Sequence, residues 1–385
     1  MEHLLNERVR GIEISGIRKV SNRVAQIPGA LTLTLGQPDF PTPTHIKEAA
    51  KRAIDSGQTG YTANAGLLEL RRAAAAFVET KYGLSYNPET EVIVTIGAAE
   101  ALEIALQTLI TPGDEVILPG PIYPGYEPII RMCGGVPVYV DTRETDFLLT
   151  AEGLSEKLTN KTRAVIIGSP SNPTGRVMSY ENMAAIAALL KDRQIFVVSD
   201  EIYSELIYDG AHVSAAAFPE LREKTVIING LSKSHSMTGW RIGFTFAPAY
   251  MTQHMLKVHQ YHATCASSVS QFAAIEALTM GVDDAEPMRV EYRRRRDYAA
   301  ERLTAMGFGL IKPEGAFYLF PSIRPFGLSS QEFSSRLLDE EKVAVVPGDA
   351  FSDYGEGYIR ISYACAMDVL EEALNRVESF VGKIR

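Results

Sequence analysis

From Val92 onward, short continuous apolar runs alternate with stretches of helical period. The run "EVIVT" predicts a buried strand, and "AAEALEIALQTLI" behind it predicts a helix packed on a sheet. "DEVILP", "VPVYV", "RAVIIG", "IFVVSDE" and "TVIING" predict further strands, most of them separated by helical stretches such as "ENMAAIAALLKDR". These runs are too uniformly apolar for a sheet with one wet face. They predict an α/β fold whose large domain holds a mostly parallel sheet covered by helices on both faces.

Past about Pro287 the texture changes. A long charged helix to about Met306 leads into strand-like "GAFYLFP", "VAVVPG" and "YIRISYA", interleaved with helical "SQEFSSRLLDEE" and closed by helical "MDVLEEALNRVESFVGKI". This pattern predicts a smaller α+β domain. The expected division is 1–45 as an N-terminal segment joining the small domain, 46–286 as the large domain and 287–385 as the small one. The run Arg293 to Arg296 lies among Met288, Val290, Tyr292, Tyr298, Leu303 and Met306, and is expected to form the wet face of the long helix.

Composition narrows the partners. Of 385 residues, 46% are hydrophobic and 22% charged, which suits a globular chain with a sizeable core. A formal net charge of −9 argues against nucleic acid, whose phosphates need a basic face. Cys133, Cys265 and Cys365 are too widely spaced to indicate a disulfide framework or a zinc site. No run approaches the roughly 20 apolar residues of a membrane span, and the N-terminus lacks a signal-type segment. A cytoplasmic location is expected.

In an open α/β sheet, ligands collect at the carboxyl ends of the strands, and the polar residues of this chain fall there. "TIGAAEA" closes a strand and opens a helix at Gly97, where exposed backbone N–H groups suit a phosphate, although such a glycine also serves simple turns. "SPSNPTG" offers Asn172 at a turn, either to a ligand or to brace the loop. Asp200 follows "IFVV", where a carboxylate is costly unless it meets a cation, caps a helix or serves a site. Lys233 follows "TVIIN" among small neighbours, in "LSKSHSMTGWRIG". A desolvated lysine near another cation titrates low enough to act as a nucleophile and to form Schiff bases. One ligand satisfies all of these groups. Pyridoxal phosphate needs an amine for its aldehyde, a carboxylate at its ring nitrogen, donors at its phenolic oxygen and an anion pocket.

Together "SPSNPTG", "SDEIY", "LSKSHSMTGWRIG" and "YIRISYA", in that order, resemble the fold-type-I, class I pyridoxal-phosphate aminotransferases. The resemblance runs from "LTLGQPDF" to "YIRISYA", nearly the whole chain. "EISGIRKVSN", "GPIYPGYEPII", "DEIYSELIYD" and "FSDYGEGY" are closer still to the N-acetyl-L,L-diaminopimelate aminotransferases of bacterial lysine synthesis. The resemblance implies that Lys233 holds the aldehyde of pyridoxal 5'-phosphate as a Schiff base and moves the proton, and that Asp200 pairs with the pyridine nitrogen. It implies further that Asn172 and Tyr203 bind the phenolic oxygen and that Tyr123 stacks on the ring. The phosphate would be held by the Ala98 and Ala99 N–H groups, Ser232 and Arg241. Arg360 would clamp the substrate α-carboxylate, with help from Asn172 and the Gly36 backbone. Tyr61 would reach the phosphate of a neighbouring subunit, so that two sites are shared across a homodimer.

One departure from the family pattern concerns specificity. Related aspartate aminotransferases often carry Lys in the phosphate turn to hold the second carboxylate, and here that position is Ala99. Arg18, in "SGIRKV", is the candidate replacement from an N-terminal lid. The expected activity is transamination between L-glutamate and a 2-oxo acid, most closely N-acetyl-2-amino-6-oxopimelate. Aromatic or aspartate transamination, a C–S β-lyase using the same lysine, and a non-catalytic cofactor-binding regulator are the alternatives. A regulator of this type usually carries a DNA-binding domain ahead of motifs that here begin by residue 36.

Overall fold

A computed structural model describes residues 1–385. The strands are β1 (Leu31–Thr32), β2 (Val92–Thr95), β3 (Glu115–Gly120), β4 (Val136–Asp141), β5 (Thr162–Gly168), β6 (Phe196–Asp200), β7 (Thr225–Gly230), β8 (Gly243–Phe246), β9 (Tyr318–Leu319), β10 (Val343–Ala344), β11 (Val346–Pro347) and β12 (Ile359–Ser362). Seven of them form one sheet in the order β2-β8-β7-β6-β5-β3-β4. β3 to β7 pair in parallel, as the apolar runs predict. β8 runs antiparallel to both β7 and β2, and the sequence reading did not anticipate it.

Alternate residues of the strands face opposite sides, and each side meets its own helices. Val116, Leu118, Ile166 and Val198 pack with Met251 and Met255 from the helix Ala249–Ala263 and with Ile104 and Leu106 from the helix Gly97–Leu109. Ile117, Val165, Ile167 and Val197 pack with Met183, Ile186 and Leu190 from the helix Tyr180–Leu190. Burial on both faces is why these strands carry no polar alternation; each such side chain contributes about 1.5–3 kcal/mol by leaving water.

The C-terminal part is built on short strands. β11, β12 and β9 form an antiparallel sheet, against which the helices Ala285–Ala305, Ser330–Glu341 and Met367–Ile384 gather a second core. β1 pairs in parallel with β10, so the N-terminal segment joins this part of the molecule. Tyr203, Leu206 and Tyr208, in the chain leaving β6, also enter that core. The carboxyl edge of the large sheet therefore opens directly onto β12.

The arginine run departs from expectation. Arg293 and Arg294 are exposed, but Arg295 and Arg296 are buried at 6% and 0% exposure. At 3.6 residues per turn, four consecutive positions sweep about 300° of the helix circumference, so they cannot share one face. Arg296 pairs with Asp209 and Asp297, and Arg295 with Asp39 and Glu291. No helix is long and apolar enough to cross a membrane.

Candidate active site

Lys233 sits on the short helix Leu231–Ser234 that β7 feeds directly. Its amine donates to the Gly36 carbonyl oxygen, and its Nζ lies 5.8 Å from the ring centroid of Tyr203 and 5.9 Å from that of Phe317. Burial among these groups, with the positive charges of Arg360 and Arg241, pushes the ammonium down to about 8; Asp200 opposes the shift. The side chain is only half-buried, so the amine remains approachable.

Asp200 ends β6 and is buried at 7% exposure. Its Oδ2 accepts from the Tyr126 hydroxyl at 2.6 Å and its Oδ1 from the Ile202 N–H at 3.2 Å. Desolvation raises its pKa against those bonds, so the carboxylate gains from any cation brought beside it. Tyr126 had no assigned role in the sequence, although it lies three residues after Tyr123 in the same quoted motif. Tyr123 is 37% exposed, stands edge-on to Tyr126 with centroids 5.3 Å apart, and feels the charges of Asp200, Arg360 and Arg241. The Tyr203 hydroxyl shares a 2.7 Å hydrogen bond with that of Tyr318, a second residue that sequence reading missed.

Gly97 opens the helix Gly97–Leu109 with φ of +74°, and Ala98 and Ala99 follow in its first turn, where N–H groups have no acceptor within the helix. A Cβ on Gly97 would lie 2.3 Å from Arg241 Nη2, so the missing side chain is what lets that guanidinium lie over the turn. Arg241 itself adopts φ of +55° and donates to the Thr238 and Ile96 carbonyls at 3.0 and 3.4 Å. Behind the turn, Glu100 accepts from the Ile96 N–H at 2.5 Å and meets His259 Nδ1 at 2.8 Å. Ser232 is buried on the turn that carries Lys233.

Arg360 on β12 is 1% exposed and lies across this edge. It donates to Asn172 Oδ1 at 2.9 Å and to the Thr34 carbonyl at 2.6 Å, between the rings of Tyr318 and Phe351 at 4.4 and 5.0 Å. Its Nε has no hydrogen-bond partner. Arg360 and Arg241 thus bind only neutral oxygens, which leaves a buried cation at Arg360 and an exposed one at Arg241 without anions. One phosphate and one carboxylate would supply them. With an approachable amine of low pKa and a buried carboxylate at the strand ends, these residues fit pyridoxal phosphate and an α-amino acid.

Two expected residues stand apart. Tyr61 is 88% exposed, and Arg18, on the helix Gly16–Val24, is exposed; neither is drawn into the cluster within this chain. The neighbouring Ile17 does pack on the small cluster that contains Phe351, which in turn lies against Arg360.

Comparison with known proteins agrees with the geometry. Residues 28–377 match the family described as aminotransferase class I and II. The probable N-acetyl-LL-diaminopimelate aminotransferase of Bacillus subtilis (strain 168) is 57% identical over 385 residues, covering 100% of this chain and 98% of that protein. An aromatic aminotransferase from Pyrococcus horikoshii OT3 superposes with a TM-score of 0.90 at 43% identity, covering 94% of this chain and 99% of the other. The aspartate aminotransferase from Thermus thermophilus with maleate gives a TM-score of 0.93 at 38% identity, covering 97% and 99%. Pyridoxal phosphate is the cofactor this kinship implies. With the sheet, the low-pKa lysine and the two unpaired arginines already in place, the chain belongs to the class I and II aminotransferase family.

Proposed function

We propose that this aminotransferase exchanges the amino group of L-glutamate with N-acetyl-2-amino-6-oxopimelate, yielding N-acetyl-L,L-diaminopimelate and 2-oxoglutarate. The observation that carries the α-amino-acid part is the pairing of Lys233 and Arg360 on one segment: the amine is held by the Gly36 carbonyl and the guanidinium by the Thr34 carbonyl, two residues apart. The specific substrate rests on the 57% identical relative and on Ala99, which leaves the phosphate turn without a second cation. Aspartate and aromatic aminotransferases among the relatives are the competing specificities.

When bound, the cofactor supplies an aldehyde for an amine and a ring that draws the electron pair from the substrate α-carbon. Arg360 binds the α-carboxylate in a bidentate fork, its Nε gaining the acceptor it lacks, and Asn172 steadies the guanidinium. Lys233, neutral above about pH 8, takes the proton from the α-carbon and returns it at the other end of the exchange. Asp200, oriented by Tyr126, keeps a proton on the ring nitrogen. Tyr203 and Asn172 would donate to the phenolic oxygen, and Tyr123 would stack on the ring. Arg241, Ser232 and the Ala98 and Ala99 N–H groups neutralise the phosphate.

Arg18 is assigned to the distal carboxylate; it is exposed in this chain, and only its neighbour Ile17 packs on the cluster that contains Phe351. The division at 1–45, 46–286 and 287–385, a cytoplasmic location, and a homodimer in which Tyr61 serves the neighbouring site complete the proposal. A panel of amino acceptors with L-glutamate tests it. The acetylated acceptor should exceed oxaloacetate and phenylpyruvate in kcat/KM by roughly ten-fold, about what one hydrogen bond to a charged group contributes. Arg18→Ala should raise its KM; equal rates for all three acceptors would remove the specificity.

A further inference from the structure

Asp39 and Arg295 lie outside the residues assigned above. Asp39 Oδ1 and Oδ2 accept from Arg295 Nη1 at 2.9 and 2.8 Å, and Oδ1 also accepts from the Tyr292 hydroxyl at 2.9 Å. The Asp39 N–H donates to that hydroxyl in return at 3.3 Å. Arg295 is buried, with its Nε given to Glu291 at 2.8 Å and its guanidinium 5.4 Å from the Phe40 ring centroid. Three groups of one helix, Ala285–Ala305, therefore meet at the end of the segment Leu33–Phe40.

The other end of that segment is also fixed. The Leu33 N–H donates to the Ala344 carbonyl at 2.9 Å, and the Leu33 carbonyl accepts from the Ser362 N–H at 2.8 Å. Between these anchors the chain forms neither helix nor strand. Its Thr34 carbonyl holds Arg360, and its Gly36 carbonyl holds Lys233. A substrate carboxylate on Arg360 competes with the first contact, and a reacting Lys233 amine leaves the second. The middle of the segment then depends on its ends.

We propose that the Asp39–Arg295 pair is a tether: it keeps Thr34 and Gly36 in register while their cations turn to the substrate, and so sets affinity for the amino-carboxylate head common to every substrate. Asp39 and Arg295 are positioning residues that touch neither substrate nor cofactor. The inference rests on reading Arg360 and Lys233 as the carboxylate and amine groups of the site. A segment freed at one end must be ordered again at each binding event, and that entropy appears as weaker binding rather than slower chemistry. Because the head group is shared, the effect is independent of the substrate side chain.

The test uses the cofactor-loaded protein and its Asp39→Asn, Asp39→Glu, Arg295→Gln and Asp39→Asn/Arg295→Gln variants. Steady-state kinetics with L-glutamate and L-phenylalanine are measured beside a visible-spectrum titration with 2-methylglutamate, which has the head group but no α-hydrogen. The expected result for Asp39→Asn is a rise of roughly ten-fold in both KM values and in the 2-methylglutamate Kd, with kcat within about three-fold. Asp39→Glu should recover part of the loss, and the double variant should be no worse than the poorer single one. Unchanged KM and Kd with a lowered Tm would reduce the pair to a fold support and overturn the tether. So would an effect on one donor alone, or losses that add in the double variant. A parent protein inert toward both donors would overturn the reading of the site itself, and the tether with it.

Discussion

Lys233 is the residue on which the proposed chemistry turns, and its environment makes a quantitative claim. An ordinary lysine is protonated up to about 10.5, whereas burial beside Arg360 and Arg241 brings this one to about 8. The sign is simple: below about 8 the amine carries a proton and cannot attack an aldehyde, and above it the free pair is available. Covalent uptake of pyridoxal phosphate by cofactor-free protein, followed by absorbance, should therefore rise with pH through a midpoint near 8. A midpoint near that of free lysine would mean that neither burial nor the two arginines act on it. At this scale most of the site was legible, because Lys233, Asp200, Asn172 and Arg360 stand in short motifs where polar residues follow apolar strands. Tyr126, Tyr318 and Thr34 were not. Two are tyrosines in apolar stretches whose hydroxyl partners are 74 and 115 residues away in the chain, and Thr34 acts through its carbonyl, which carries no sequence signature.

Among the elements, β8 is the instructive case. Only four residues long and lying within the glycine-rich exit of the lysine motif, it lacks the length and continuous β-branched content that revealed β5, β6 and β7. Its role is nevertheless specific. A Cβ on Gly243 would lie 2.4 Å from the Gly97 carbonyl carbon and 2.6 Å from the Ala98 nitrogen, so β8 and the turn proposed to hold the phosphate touch backbone to backbone. Gly243→Ala must push that turn away, since backbone atoms cannot rotate aside as a side-chain end can. The cofactor Kd, measured by equilibrium dialysis, should rise roughly 10- to 100-fold, the effect of losing one charged hydrogen bond of about 1.5–3 kcal/mol. An unchanged Kd would show that the phosphate does not sit on this turn. The helix Ala285–Ala305 gives the matching lesson for charge. Its arginine run was readable as a helix, but the burial of Arg295 and Arg296 depends on Asp39 and Asp209, far earlier in the chain.

In the whole molecule, the site exists where the carboxyl edge of a seven-stranded sheet meets β12 and the segment leading from β1. Asp200 and Lys233 come from the large sheet and Arg360 from the smaller one. On the proposed reading a substrate would bridge the two, which would favour closure around it. The alternation of apolar runs made this architecture readable in outline. The docking of the helix Gly16–Val24 through Ile17 onto the cluster around Phe351 was not, because it is set by packing and not by a motif. The most direct test of the central claim is a single half-reaction: the visible spectrum of the cofactor-loaded protein after L-glutamate is added without any acceptor. The predicted result is a complete band shift with release of one equivalent of 2-oxoglutarate per site, reversed by N-acetyl-2-amino-6-oxopimelate and absent in Lys233→Ala. A spectrum that glutamate and other amino donors leave unchanged, or a shift that releases ammonia and cannot be reversed by a 2-oxo acid, would contradict it.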